Sequence, residues 1–116
     1  MIKIKILKSL RDEIHKKLKK ESLKIYHLIK SLETNPHKGD NLGNVGNIHI
    51  RELKYGTFRF YFIVNGNEIQ LFDQKKIVDL LIIFVDMSKK NNQQKTIDQI
   101  KGVLKKIGFK GFDQLQ

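Results

Sequence analysis

Residues 48–64 read IHIRELKYGTFRFYFIV, and the reading of this stretch decides the fold. Two runs rich in Ile, Tyr, Phe and Val meet at Gly56, which predicts strands over 48–55 and 57–64 joined in a tight hairpin. With a period of two, Glu52 and Lys54 fall on one face and Arg51 and Leu53 on the other, while Arg59 and Tyr61 share a face of the neighbouring strand. Lys54 and Arg59 can then approach each other across the hairpin. Only a surface open to solvent or to an anionic ligand tolerates that approach.

The pattern extends in both directions. Asn65-Gly66 is a type I′ turn signal leading into a strand over 68–72, and the nearly continuous apolar run IVDLLIIFV at 77–85 suits a central strand buried on both faces. Ile97, Ile100, Leu104 and Ile107 then trace a closing helix, with Gly108 as its left-handed C-cap. Towards the N-terminus, residues 35–47, NPHKGDNLGNVGN, hold four Asn, three Gly and the single Pro, and read as a loop. A helix with Ile25, Leu28, Ile29 and Leu32 inward and Ser22 as cap must stop before Asn35-Pro36. An earlier helix starts at Ser9, with Asp12 and Glu13 in its first turn and Leu10, Ile14 and Leu18 inward. Ile2, Ile4 and Ile6 alternate with Lys3 and Lys5 as a half-buried strand. The expected order is β-α-α-β-β-β-β-α, an α+β fold with helices packed on one curved, mainly antiparallel sheet. One domain over 1–107 and a short tail over 108–116 are expected.

Charge bears on partners. The chain of 116 residues has 23 Lys and Arg against 12 Asp and Glu, a net charge of +11. Residues 1–30 carry ten bases and three acids, and residues 86–110 seven Lys and two Asp. This balance favours nucleic acid or another polyanion, because each neutralised phosphate releases condensed counterion. The same lysines also suit ordinary solvated faces. Lys3 and Lys5 belong to the basic N-terminal stretch and are candidate RNA contacts. Cysteine is absent, which removes disulfides and thiolate metal sites. His15, His27, His37 and His49 never pair at metal-ligand spacing, so no metal is expected. The run at 77–85 is too short to span a bilayer and MIKIKILK lacks the form of a secretory signal, so a cytoplasmic protein with no membrane association is expected.

Several motifs, in order, resemble the RelE/ParE toxin superfamily. They are Leu32-x-x-Asn35-Pro36-x-x-Gly39-Asp40-x-Leu42-Gly43, then Glu52-Leu53-Lys54, then Phe58-Arg59-x-Tyr61, then Phe84 ahead of Lys89-Lys90 and a C-terminal helix. The likeness is best to RelE- and HigB-type chains and covers roughly residues 2–107. It implies a RelE-like fold and a type II toxin that cleaves mRNA, usually in the ribosomal A site, through attack by the RNA's own 2′-hydroxyl. It also implies neutralisation by a small antitoxin that wraps around the toxin, and no cofactor. By resemblance, Lys54 and Arg59 bind and stabilise the scissile phosphate, Glu52 is a candidate base or a partner that ties down Arg59, and Lys89 or Lys90 supplies a cation from the far side. Tyr61 is a candidate for stacking on a base or for packing, and Arg51 for an RNA contact or a helix–sheet salt bridge. His49 is a weaker candidate acid, since its strand phase opposes that of Lys54. The final stretch, GFKGFDQLQ, has no Tyr or His, where active family members often place one. A non-catalytic module that inhibits gyrase or binds RNA is the alternative, and a subunit of a larger nucleoprotein a third.

Overall fold

The computed structural model describes residues 1–73, Lys76 and residues 96–112. The alternating KIKI becomes β1 (Lys3–Ile6), followed by α1 (Lys8–Lys17) and α2 (Ser22–Lys30). Four strands then run in succession: β2 (Asp40–Val45), β3 (Ile48–Tyr55), β4 (Phe58–Asn65) and β5 (Glu68–Phe72). The closing helix α3 spans Thr96–Gly111. The described residues therefore form an α+β fold with one five-stranded sheet in the order β1-β5-β4-β3-β2. Its pairs are antiparallel except β1 with β5, which is parallel.

The meander from β2 to β5 is built on a regular device. Gly46, Gly56 and Gly66 each open a two-residue turn, with φ of 56, 58 and 62°. Positive φ at the first turn position matches the twist of the flanking strands and favours Gly. Asn65 pairs with Glu68, so the turn residues are Gly66-Asn67 and not Asn65-Gly66.

Register sorts the side chains into two cores. Phe60, Phe62, Val64, Ile69 and Leu71 lie against Leu10, Ile14, Ile25 and Ile29 of α1 and α2. Ile50, Tyr61, Ile63 and Phe72 lie against Ile100, Val103 and Leu104 of α3. The sheet is thus covered on both faces, whereas the sequence suggested only helices on a sheet. Gly108 has φ 74° and ψ 179°, a positive φ as expected but with extended ψ, so it interrupts α3 in place of a left-handed cap. Beyond it Phe109 and Phe112 are buried in the second core, so packed chain continues past the boundary expected at residue 107.

Three further expectations need correction. Residues 40–45 are a strand, not part of a loop: the backbone ladder to β3 holds them, and only Leu42 and Val45 reach the core. An outer strand with a bulge between Asn41 and Gly43 tolerates Asn and Gly, which is why its composition imitates a loop. Ser9 does not cap α1, which begins a residue earlier with no acid in its first turn; its Oγ donates to Asp73 at 2.9 Å. Asp12 instead accepts from Lys8 at 2.9 Å, and that hydrogen bond lowers its pKa. Ser22 does not cap α2 either, because its Oγ donates back to the Lys19 carbonyl at 3.0 Å. The strand expected at 77–85 lies outside the described residues. Among the described residues no helix is long and apolar enough to cross a membrane.

Candidate functional site

The hairpin places Lys54 directly opposite Arg59 and Glu52 directly opposite Tyr61. All four therefore share the α3 face of the sheet, at the end of the strands next to the Gly56 turn. Asp40 of β2 pairs with Glu52 and adds a second carboxylate. Two like charges opposed on adjacent strands repel each other, so the cluster needs compensation. Lys54 Nζ lies 3.2 Å from Asp40 Oδ2 and 3.9 Å from Glu52 Oε1, and Arg59 reaches Glu52 Oε2 at 4.0 Å. The two longer contacts are Coulombic rather than hydrogen-bonded.

Burial divides the roles. The Glu52 side chain is 8% exposed, while those of Lys54 and Arg59 are 53% and 62% exposed. A carboxylate beneath two solvated cations fixes where the cations stand and leaves their donor groups available to an anion. Tyr61 is buried, with its ring stacked on Phe72 at 6.2 Å and 23°, and Phe72 in turn meets Phe112 at 5.1 Å. Burial raises the pKa of the Tyr61 phenol, the negative charge of Glu52 raises it further, and Arg59 opposes both.

Other predicted residues go elsewhere. Arg51 faces the opposite side and binds backbone in place of the helix–sheet salt bridge considered from sequence: its guanidinium donates to the carbonyls of His37, Lys38 and Gly39, the last at 2.9 Å. Lys3 pairs with Glu68, and Lys5 with Gln70, so β1 is two strands away from Arg59 and Lys3 lies level with the far end of β4. His49 pairs with Val64, on the face away from Lys54. Lys89 and Lys90 lie outside the described residues. Among the described residues, no cluster of three His, Asp or Glu side chains could hold a metal ion.

Two features were missed from sequence. Asp40, the nearest carboxylate to Lys54, was hidden by the loop reading of its strand. A cleft of about 300 Å³ runs beside Arg59 and is lined by Leu10, Glu13, Lys17, Phe58 and Asp73. The doubled lysines at 16–17 and 19–20 were a visible signal for that corner, but the fold is needed to bring Phe58 to them.

No family model matches the chain, and neither a search of curated proteins nor one of solved structures finds a match.

Proposed function

We propose that this chain is the toxin of a type II toxin–antitoxin pair, a RelE-like endoribonuclease that cleaves mRNA on the ribosome. The observation that carries the reading is the pairing of Lys54 with Arg59 on the hairpin, both exposed, above the buried Glu52. In the reaction the 2′-oxygen attacks phosphorus, its proton passes to Glu52 as base, and the bond to the 5′-oxygen breaks to leave a 2′,3′-cyclic phosphate. Arg59 and Lys54 meet the charge that develops on the phosphoryl oxygens, and Lys54 is the candidate proton donor to the departing 5′-oxygen. By the resemblance, Lys89 or Lys90, outside the described residues, would supply a further cation. A small antitoxin is the protein partner.

A second reading has its own support. Phe109 and Phe112 are buried in the core, and the C-terminal stretch GFKGFDQLQ holds no Tyr or His where active family members often place one. That favours a basic module that binds RNA without cutting it, or a gyrase inhibitor of the ParE kind.

Cleavage of mRNA in a translating extract separates the two. Arg59→Ala should lower the rate by about a hundredfold or more, the loss typical of one preorganised transition-state donor. Its thermal melt should stay close to wild type, because the side chain is largely exposed. An inert wild type, or an Arg59→Ala protein as fast as wild type, would overturn the nuclease reading.

A further inference from the structure

We propose that the corner where α1 ends is a docking groove for single-stranded nucleic acid, with Phe58 as its stacking platform. α1 stops at Lys17, and Leu18 leaves helical geometry with φ −120° and ψ 28° while remaining buried. The chain continues as a single 3₁₀ turn over Lys19–Glu21. Lys16, Lys17, Lys19 and Lys20 are all exposed around this one buried leucine, and with Glu21 and Phe58 they line an open cleft of about 360 Å³. That cleft shares Lys17, Leu18 and Phe58 with the cleft that Arg59 borders, so the groove continues along the α1 side of the sheet, around the hairpin end from the face that carries Lys54 and Glu52.

Charge and exposure select the occupant. Lys17 is paired with Glu13 at 3.0 Å, but neither Lys19 nor Lys20 has an ion-pair partner among the described residues. Lysines at a helix C-terminus complement its dipole, which accounts for Lys16 and Lys17 but not for an aromatic beside them. Phe58 is 40% exposed. An exposed ring in a lysine-lined groove fits a strand whose backbone meets the ammonium groups while a base stacks on the ring. In the nuclease reading this groove would hold nucleotides flanking the cut. It rests on that reading for the sugar and the cut, and on its own charge for binding.

The test measures binding apart from cleavage. A fluorescent uridine decamer with every 2′-hydroxyl methylated cannot be cut by 2′-hydroxyl attack, and its anisotropy gives the affinity of the full chain across a salt series. The double variant Lys19→Gln, Lys20→Gln should bind more weakly and lower the salt slope by about 1.4, from roughly 0.7 counterions per contact. Phe58→Ala should lose affinity by roughly tenfold with the slope unchanged. Unchanged affinity in both variants overturns the groove, even if wild type cleaves mRNA. Weakened binding with an inert wild type supports the groove and overturns the nuclease. If poly-glutamate binding requires these residues while the decamer ignores them, the groove belongs to an acidic protein partner and the proposal fails.

Discussion

Glu52 and Tyr61 sit opposite each other on the hairpin, and their coupling makes a prediction about pH. The folded state raises the pKa of the Tyr61 phenol, by burial first and by the charge of Glu52 second. A group raised in this way contributes stability that is whole below its unfolded pKa, near 10, and is lost as pH rises towards the folded value. Stability should therefore fall on the alkaline side, above about pH 10, since there the unfolded chain releases a proton that the folded chain retains. Tyr61→Phe should flatten that limb relative to wild type in thermal melts between about pH 8 and 11. Equal alkaline slopes for the two proteins would show that Tyr61 does not titrate differently on folding.

At the scale of elements, one glycine and one arginine set how the loop entering β2 docks beside β3. Gly39 has φ 89°, and a Cβ there would lie 2.2 Å from the backbone oxygen of Glu52. Gly39→Ala must push the two segments apart, so amide exchange across residues 40–45 should quicken while β4 and β5 stay protected. Arg51 clamps the carbonyls of the same loop. Arg51→Ala should cost about 1.5–3 kcal/mol in urea denaturation, the range for hydrogen bonds to charged groups. A loss well below 1 kcal/mol would mean that water replaces the clamp at little cost. The strands from 48 to 72 were legible because aromatic and β-branched runs stop at glycines that turns require. β2 was not, since an outer strand draws its stability from the ladder and needs few apolar side chains. The site divides in the same way. The convergence of Lys54 and Arg59 follows from period two and a short turn, both local, whereas Asp40 and the lysine corner come together only through pairing and packing between distant segments.

Across the whole molecule, two cores share one sheet, and the second depends on residues close to the end of the chain. Phe112 is fully buried against Phe72, and the buried Gln70 donates to the Phe109 carbonyl at 3.1 Å. Phe112→Ala should therefore cost about 3–5 kcal/mol, the usual loss for a core phenylalanine. Truncation after Ile107 should do worse, because it bares Phe72 and leaves the Gln70 amide without its acceptor. Urea midpoints, with dye binding to detect exposed apolar surface, would check both; a truncated chain with a wild-type midpoint would contradict the second core. The parallel pairing of β1 with β5 has a consequence for synthesis. Lys3 pairs with Glu68, sixty-five residues later, and at 5–20 residues per second the first strand waits about 3–13 s for its partner. During that interval KIKI is an unpaired strand beside the ribosome. Lys3 and Lys5 then act as gatekeepers against pairing with other nascent chains, a task complete before the protein meets any ligand.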